Sequence, residues 1–132
     1  MQQQHKFIPE IGSLVAVRYK TGEYIGEVME AAGGSPRALV KVLAVLKHPE
    51  QGDLHNPQNP DVPMFHERRA LSYTEKANIP YGDLVPYKGE VPSYPDSLKE
   101  ALENELAALD RLKRWAERGL EQLAQLQREY KI

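Results

Sequence analysis

Cysteine is absent from all 132 residues, which excludes disulfides, thiolate metal sites, thiol nucleophiles and thioether-linked lipid among them. Long apolar runs are absent too. No stretch nears the roughly 18 residues of a membrane-spanning helix, and the opening MQQQHKFIPEIG lacks the apolar segment of a secretory signal. The expectation is a cytoplasmic protein with no direct membrane insertion, peripheral to a membrane only through a partner. A basic excess is also missing: 17 Lys and Arg stand against 19 Asp and Glu, with no basic run, so nucleic acid is not an expected partner. The signatures GxSxG, HExxH and the dinucleotide fingerprint do not occur, and Gly33-Gly34-Ser35 runs into Pro36 rather than into a phosphate-receiving helix. Neither a cofactor nor an enzymatic activity is expected.

What is present suits one core with an appendage, in three compositional zones. Eight of the ten prolines lie between Pro49 and Pro95, and none in 10–35 or 96–132. In the first zone Leu14–Tyr19 alternates, with Val15, Val17 and Tyr19 on one side, the period of a half-buried strand. Lys20–Glu23 reads as a turn and Tyr24–Met29 as the returning strand of a hairpin, with Gly26 marking a bulge. Ala38–Leu46, in which Lys41 is the only polar residue, reads as a strand buried on both faces. Arg68–Tyr73 reads as a further short strand, Thr74–Ala77 as a helical turn capped by the threonine, and Leu84–Tyr87 as the last strand. Such strands make the chain mainly β with a C-terminal α part, and suit a small, partly open barrel. Residues 1–10 are expected as a flexible tail and 90–95 as a proline-rich linker.

After Pro95 the apolar positions are Leu98, Leu102, Leu106, Leu109, Leu112, Ala116, Leu120, Leu123 and Leu126. Their mean spacing of about 3.5 residues defines a narrow helical seam. Residues 96–110 carry five acids and one Lys, whereas 111–118 carry four bases and one Glu, an order that matches the helix dipole. One continuous helix would reach roughly 50 Å, so a helical hairpin broken near Asp110–Lys113 is expected, begun by Asp96 or Ser97 as cap, with one long helix as the alternative. The 96–131 segment is expected to pack on the barrel and cover Ala38–Leu46. A coiled-coil homodimer would be the other way to bury the seam.

Residues 47–66, KHPEQGDLHNPQNPDVPMFH, hold four prolines, three histidines and no usable period. A loop of this length is uncommon unless it packs or binds. Imidazole and carboxylate from His48, Asp53, His55 and His66 form the alternative of a metal site, and a His–carboxylate pair suits acid–base chemistry near neutral pH. Against that, such side chains ordinarily hydrogen-bond the backbone of their own loop. Leu54, Met64 and Phe65 set apolar groups amid polar ones, as a protein interface does. The candidate partner-binding residues are therefore His48, Asp53, Leu54, His55, Met64, Phe65, His66, Glu67 and Arg68. Tyr73, Tyr81, Tyr87 and Tyr94 raise a second surface, an aromatic groove for a proline-rich peptide, against their ordinary use in packing.

HPEQGDLHNPQNPDVPMFHERRALSY (48–73), with YKTGEYIGEV (19–28) before it and ANIPYGDLVPY (77–87) after it, resembles the kinase-associated protein B family over most of 11–131. The resemblance implies an SH3-like barrel, here 11–89, with a C-terminal helical part. It also implies a role beside a membrane sensor histidine kinase that feeds the sporulation phosphorelay, and brings no catalytic residues. The family is often labelled a lipoprotein, a description that a sequence without cysteine does not support. The expected function is that of a non-enzymatic accessory protein that binds or helps activate such a kinase through the 48–67 loop. The alternative is a metal- or His-dependent small-molecule enzyme built on the same loop. A third reading, nucleic-acid binding by the barrel, keeps only the argument that net charge can hide a local patch.

Overall fold

The computed structural model describes residues 8–132, so most of the tail expected over 1–10 lies outside the described residues. Alternating apolar residues build an antiparallel sheet from β1 (Leu14–Tyr19), β2 (Gly22–Ala31), β3 (Arg37–Lys47), β4 (Lys76–Pro80) and β5 (Leu84–Pro86). Its order is β4-β3-β2-β1-β5. β4 also comes into contact with β1, which is not its neighbour in that order, so the sheet curls into a partly open barrel. Val15, Val17, Tyr24, Val28, Val40, Val42, Ile79 and Leu84 fill its interior. Both edge strands are short and end in proline, which removes a ladder donor and blunts the edge.

Gly26 sits where the β2–β3 register shifts, and a Cβ there would lie 2.8 Å from the Lys41 carbonyl oxygen. The close approach of two backbones explains the glycine that the sequence placed at a bulge.

Helix α1 runs unbroken from Tyr94 to Tyr130, so the long-helix alternative describes the fold and the break near Asp110–Lys113 does not occur. Asp110 is not a cap but pairs with Arg114 one turn on, at 2.9 Å, and Gly119 is absorbed at a cost of about 1 kcal/mol. The helix also begins earlier than expected. Ser93 is the N-cap, accepting from the Asp96 N–H, and Pro95 falls inside the first turn, where its missing N–H costs nothing. Burial on the barrel is concentrated at the start: Ser97 and Ala101 are buried, Tyr94 and Leu98 half-buried, and the later seam leucines largely exposed.

Two further expectations are corrected. Arg68–Tyr73 is not a strand, because side chains take its donors: Arg68 N–H donates to Gln51 Oε1, Leu71 N–H to the Tyr24 hydroxyl and Ser72 N–H to Glu75 Oε1. Three of its six amides are thus spent on side chains rather than on a ladder. Nor does Thr74 cap a helical turn; it occupies the left-handed region at φ 67° in a tight turn that leads into β4. Its N–H donates to the Val42 carbonyl, and Val42 N–H to that of Glu75.

Candidate functional site

Between β3 and β4 the chain makes its long excursion, and hydrogen bonds at the base hold it in shape. Gln51 is the clamp. Its Nε2 donates to the carbonyls of Pro49 (3.1 Å) and Arg68 (2.8 Å), while its Oε1 accepts the Arg68 N–H at 2.8 Å. Beside it Gly52 N–H donates to the His66 carbonyl, and Arg68 Nε donates to the Gly52 carbonyl at 3.1 Å. Thr21, in the β1–β2 turn, fixes the outgoing arm by accepting the Glu50 N–H at 2.9 Å. The two arms of the loop are thereby joined to each other and to the barrel.

Gly52 is buried with φ +101°, and the Phe65 ring lies where a side chain would project, 2.8 Å from an ideal Cβ. Only glycine allows both the backbone and the ring. Phe65 nevertheless remains 61% exposed and Met64 65% exposed, with Leu54 half-buried near them. Leu54, Pro57, Pro60 and Phe65 face Leu109 and Leu112 of α1 across a groove of about 400 Å³. A second groove of about 580 Å³ runs on the other side of the loop base, between Glu67–Ala70 and Leu98, Leu102 and Leu106.

The polar candidates do not converge. His48 Nδ1 lies 3.0 Å from the Pro49 carbonyl and, protonated there, donates to it. Asp53 accepts from the Asn56 side-chain amide at 3.0 Å and the His55 N–H at 2.9 Å, which hold its carboxyl below the usual carboxylate range. Glu67 pairs with Arg69 at the surface. Among the described residues no three His, Cys, Asp or Glu side chains come together as a metal site, so His48, Asp53, His55 and His66 are not brought into one ligand set. What the loop presents is exposed Met64 and Phe65 among polar residues, with the side chains of Gln51, Asp53 and Asn59 bonding the loop's own backbone.

Of the four tyrosines, two meet. The Tyr73 and Tyr94 rings lie 5.9 Å apart in a groove of about 600 Å³ that the chain's own Pro92 and Pro95 help to line. Tyr94 donates to the Leu71 carbonyl, and burial raises its phenol pKa, as it does that of Tyr24. Tyr81 and Tyr87 donate elsewhere, to the carbonyls of Ala32 and Glu90. Gln51, Thr21, Leu109 and Leu112 shape the loop surface without having been singled out for it from the sequence. A Gln four positions after β3, amid prolines, was the only local signal of the clamp.

The sequence model of a family described as "Kinase associated protein B" matches residues 19–131. The chain is 52% identical over 122 residues to the kinase-associated lipoprotein B of Bacillus subtilis (strain 168), covering 92% of this chain and 94% of that protein. It is also similar to the X-ray crystal structure of kinase-associated protein B from Bacillus cereus, at 46% identity and a TM-score of 0.66, covering 93% of this chain and 98% of that one.

Proposed function

The chain belongs to the kinase-associated protein B family, and from that premise we infer that it is a non-enzymatic accessory protein that docks on the cytoplasmic part of a membrane sensor histidine kinase and assists its input to a sporulation phosphorelay. The names of its relatives support the kinase as partner. The observation that carries the docking surface is Phe65, an aromatic side chain fixed against buried Gly52 yet more than half exposed. A rigid aromatic anchor loses little entropy on binding and makes a good centre for an interface. Leu54 and Met64 extend it, His55 and His66 add polar rim, and the groove toward Leu109 and Leu112 offers depth.

Position at the membrane follows from the partner in this reading. No described helix is long and apolar enough to cross a membrane, and none of the 132 residues is a cysteine that could take a thioether-linked lipid. The SH3-like barrel serves as scaffold, its β3–β4 connection carrying the recognition surface, as loops on rigid sheets commonly do. Hydrogen exchange tests the footprint. Adding a purified kinase cytoplasmic segment should protect amides in 50–67, and protection elsewhere with 50–67 unchanged would refute the assignment.

A further inference from the structure

The outer part of α1 has nothing against it among the described residues. The grooves that the barrel and loop make with the helix reach only to Leu112, so the next five turns stand in solvent with Leu120 68% and Leu123 65% exposed. An isolated helix of that length is marginal in water, and a leucine seam along it calls for a cover.

The seam is a heptad. Leu102, Leu109, Ala116, Leu123 and Tyr130 recur every seventh residue, and Leu98, Glu105, Leu112, Gly119 and Leu126 form the second row. Small residues and charge together choose the occupant. A parallel, in-register pair of these helices would set Ala116 on Ala116 and Gly119 on Gly119, leaving a hole in the middle of the seam. An antiparallel pair fills it, with Leu112 against Ala116, Leu109 against Gly119 and Leu102 against Leu126 of the other copy. Charge favours the same arrangement. At that register the acidic stretch 96–110 of one copy, with five acids and one Lys, faces 118–132 of the other, with three bases and two acids, whereas a parallel pair sets the acidic stretch on itself; the basic centre 111–117 meets itself in either arrangement.

We propose that two copies of this chain pair antiparallel through α1, with Leu102 of one opposite Leu126 of the other. The groove beside Leu98, Leu102 and Leu106, with Glu67, Arg68, Arg69 and Ala70 on its far wall, then receives the C-terminal turns of the second copy around Leu126 and Tyr130. Leu109 and Leu112, which form the helix wall of the Phe65 groove, lie in this seam, so pairing and occupation of that groove draw on the same helix residues. The pairing does not rest on the kinase reading.

The test uses the full chain and its lack of cysteine. Sedimentation at micromolar concentration should give a dimer, lost in Leu123→Glu and Leu126→Glu while the thermal transition of the barrel remains. Leu102→Cys and Leu126→Cys each introduce a single thiol. Mixed and oxidised, they should form the heterologous disulfide, and neither alone should cross-link. A monomeric wild type, an oligomer other than a dimer, or self-cross-linking of Leu126→Cys without the mixed product would overturn the proposal.

Discussion

The Ser97 hydroxyl accepts the Val45 N–H at 2.9 Å and donates to the Tyr94 carbonyl at 2.8 Å, joining the first turn of α1 to β3 through one buried side chain. Ser97→Ala leaves the Val45 amide buried without a partner. The expected cost is about 1–3 kcal/mol, read as a lower urea midpoint at unchanged slope. An unchanged midpoint would mean that the helix is not anchored there.

Gln51→Ala should loosen the loop without unfolding the barrel. The Arg68 amide loses its acceptor and the carbonyls of Pro49 and Arg68 lose a donor, so hydrogen exchange should quicken at Gly52 and Arg68 while the β2–β3 amides keep their protection. Equal acceleration in the sheet would show that loop and barrel unfold as one unit.

Gly26→Ala should destabilise the sheet itself. The added Cβ meets the Lys41 carbonyl oxygen at 2.8 Å and the Val40 side chain, and overpacking of this kind costs about 1–3 kcal/mol. Differential scanning calorimetry would register it as a lowered Tm; a Tm equal to wild type would contradict the close approach of β2 and β3.

Much of the barrel was legible because its first strands bury one side in simple alternation: Val15 and Val17, then Tyr24 and Val28. β4 was not, since Ala77 and Ile79 are its only buried residues and the Ile-Pro pair reads as punctuation. The Arg68–Tyr73 segment misled in the opposite direction, because its apolar content resembles a strand while Gln51, Tyr24 and Glu75, distant or on the far side of a turn, capture its donors. Length misled for α1, as a helix need not stay over the domain it starts from. At the site, Leu54, Met64 and Phe65 were visible as apolar residues in a polar stretch. Their support by Gly52, Leu109 and Leu112 depends on tertiary proximity that no local pattern encodes.

Acid should release the turn at Asp53. Its folded-state pKa is lowered from the usual 3.8 by the Asn56 side chain and then the His55 amide, so the stabilisation is present above the unfolded value and is lost as pH falls through the lowered one. An NMR titration should show the His55 amide shifting in that window in wild type and not in Asp53→Asn. A midpoint above the usual carboxylate range would reverse the sign and refute this role.

Titration of purified cytoplasmic segments of a sensor histidine kinase with wild type, Leu54→Ala, Phe65→Ala and Glu121→Ala, each checked for folding by circular dichroism, tests the docking claim most directly. Truncating Leu54 or Phe65 should weaken binding by roughly tenfold or more, about 1.4 kcal/mol, and Glu121→Ala by no more than roughly twofold, as for an exposed helical charge. If no segment binds even at about millimolar affinity, worth roughly 4 kcal/mol, or if Glu121→Ala weakens binding as much as Phe65→Ala does, the 48–67 loop is not the surface that meets the kinase.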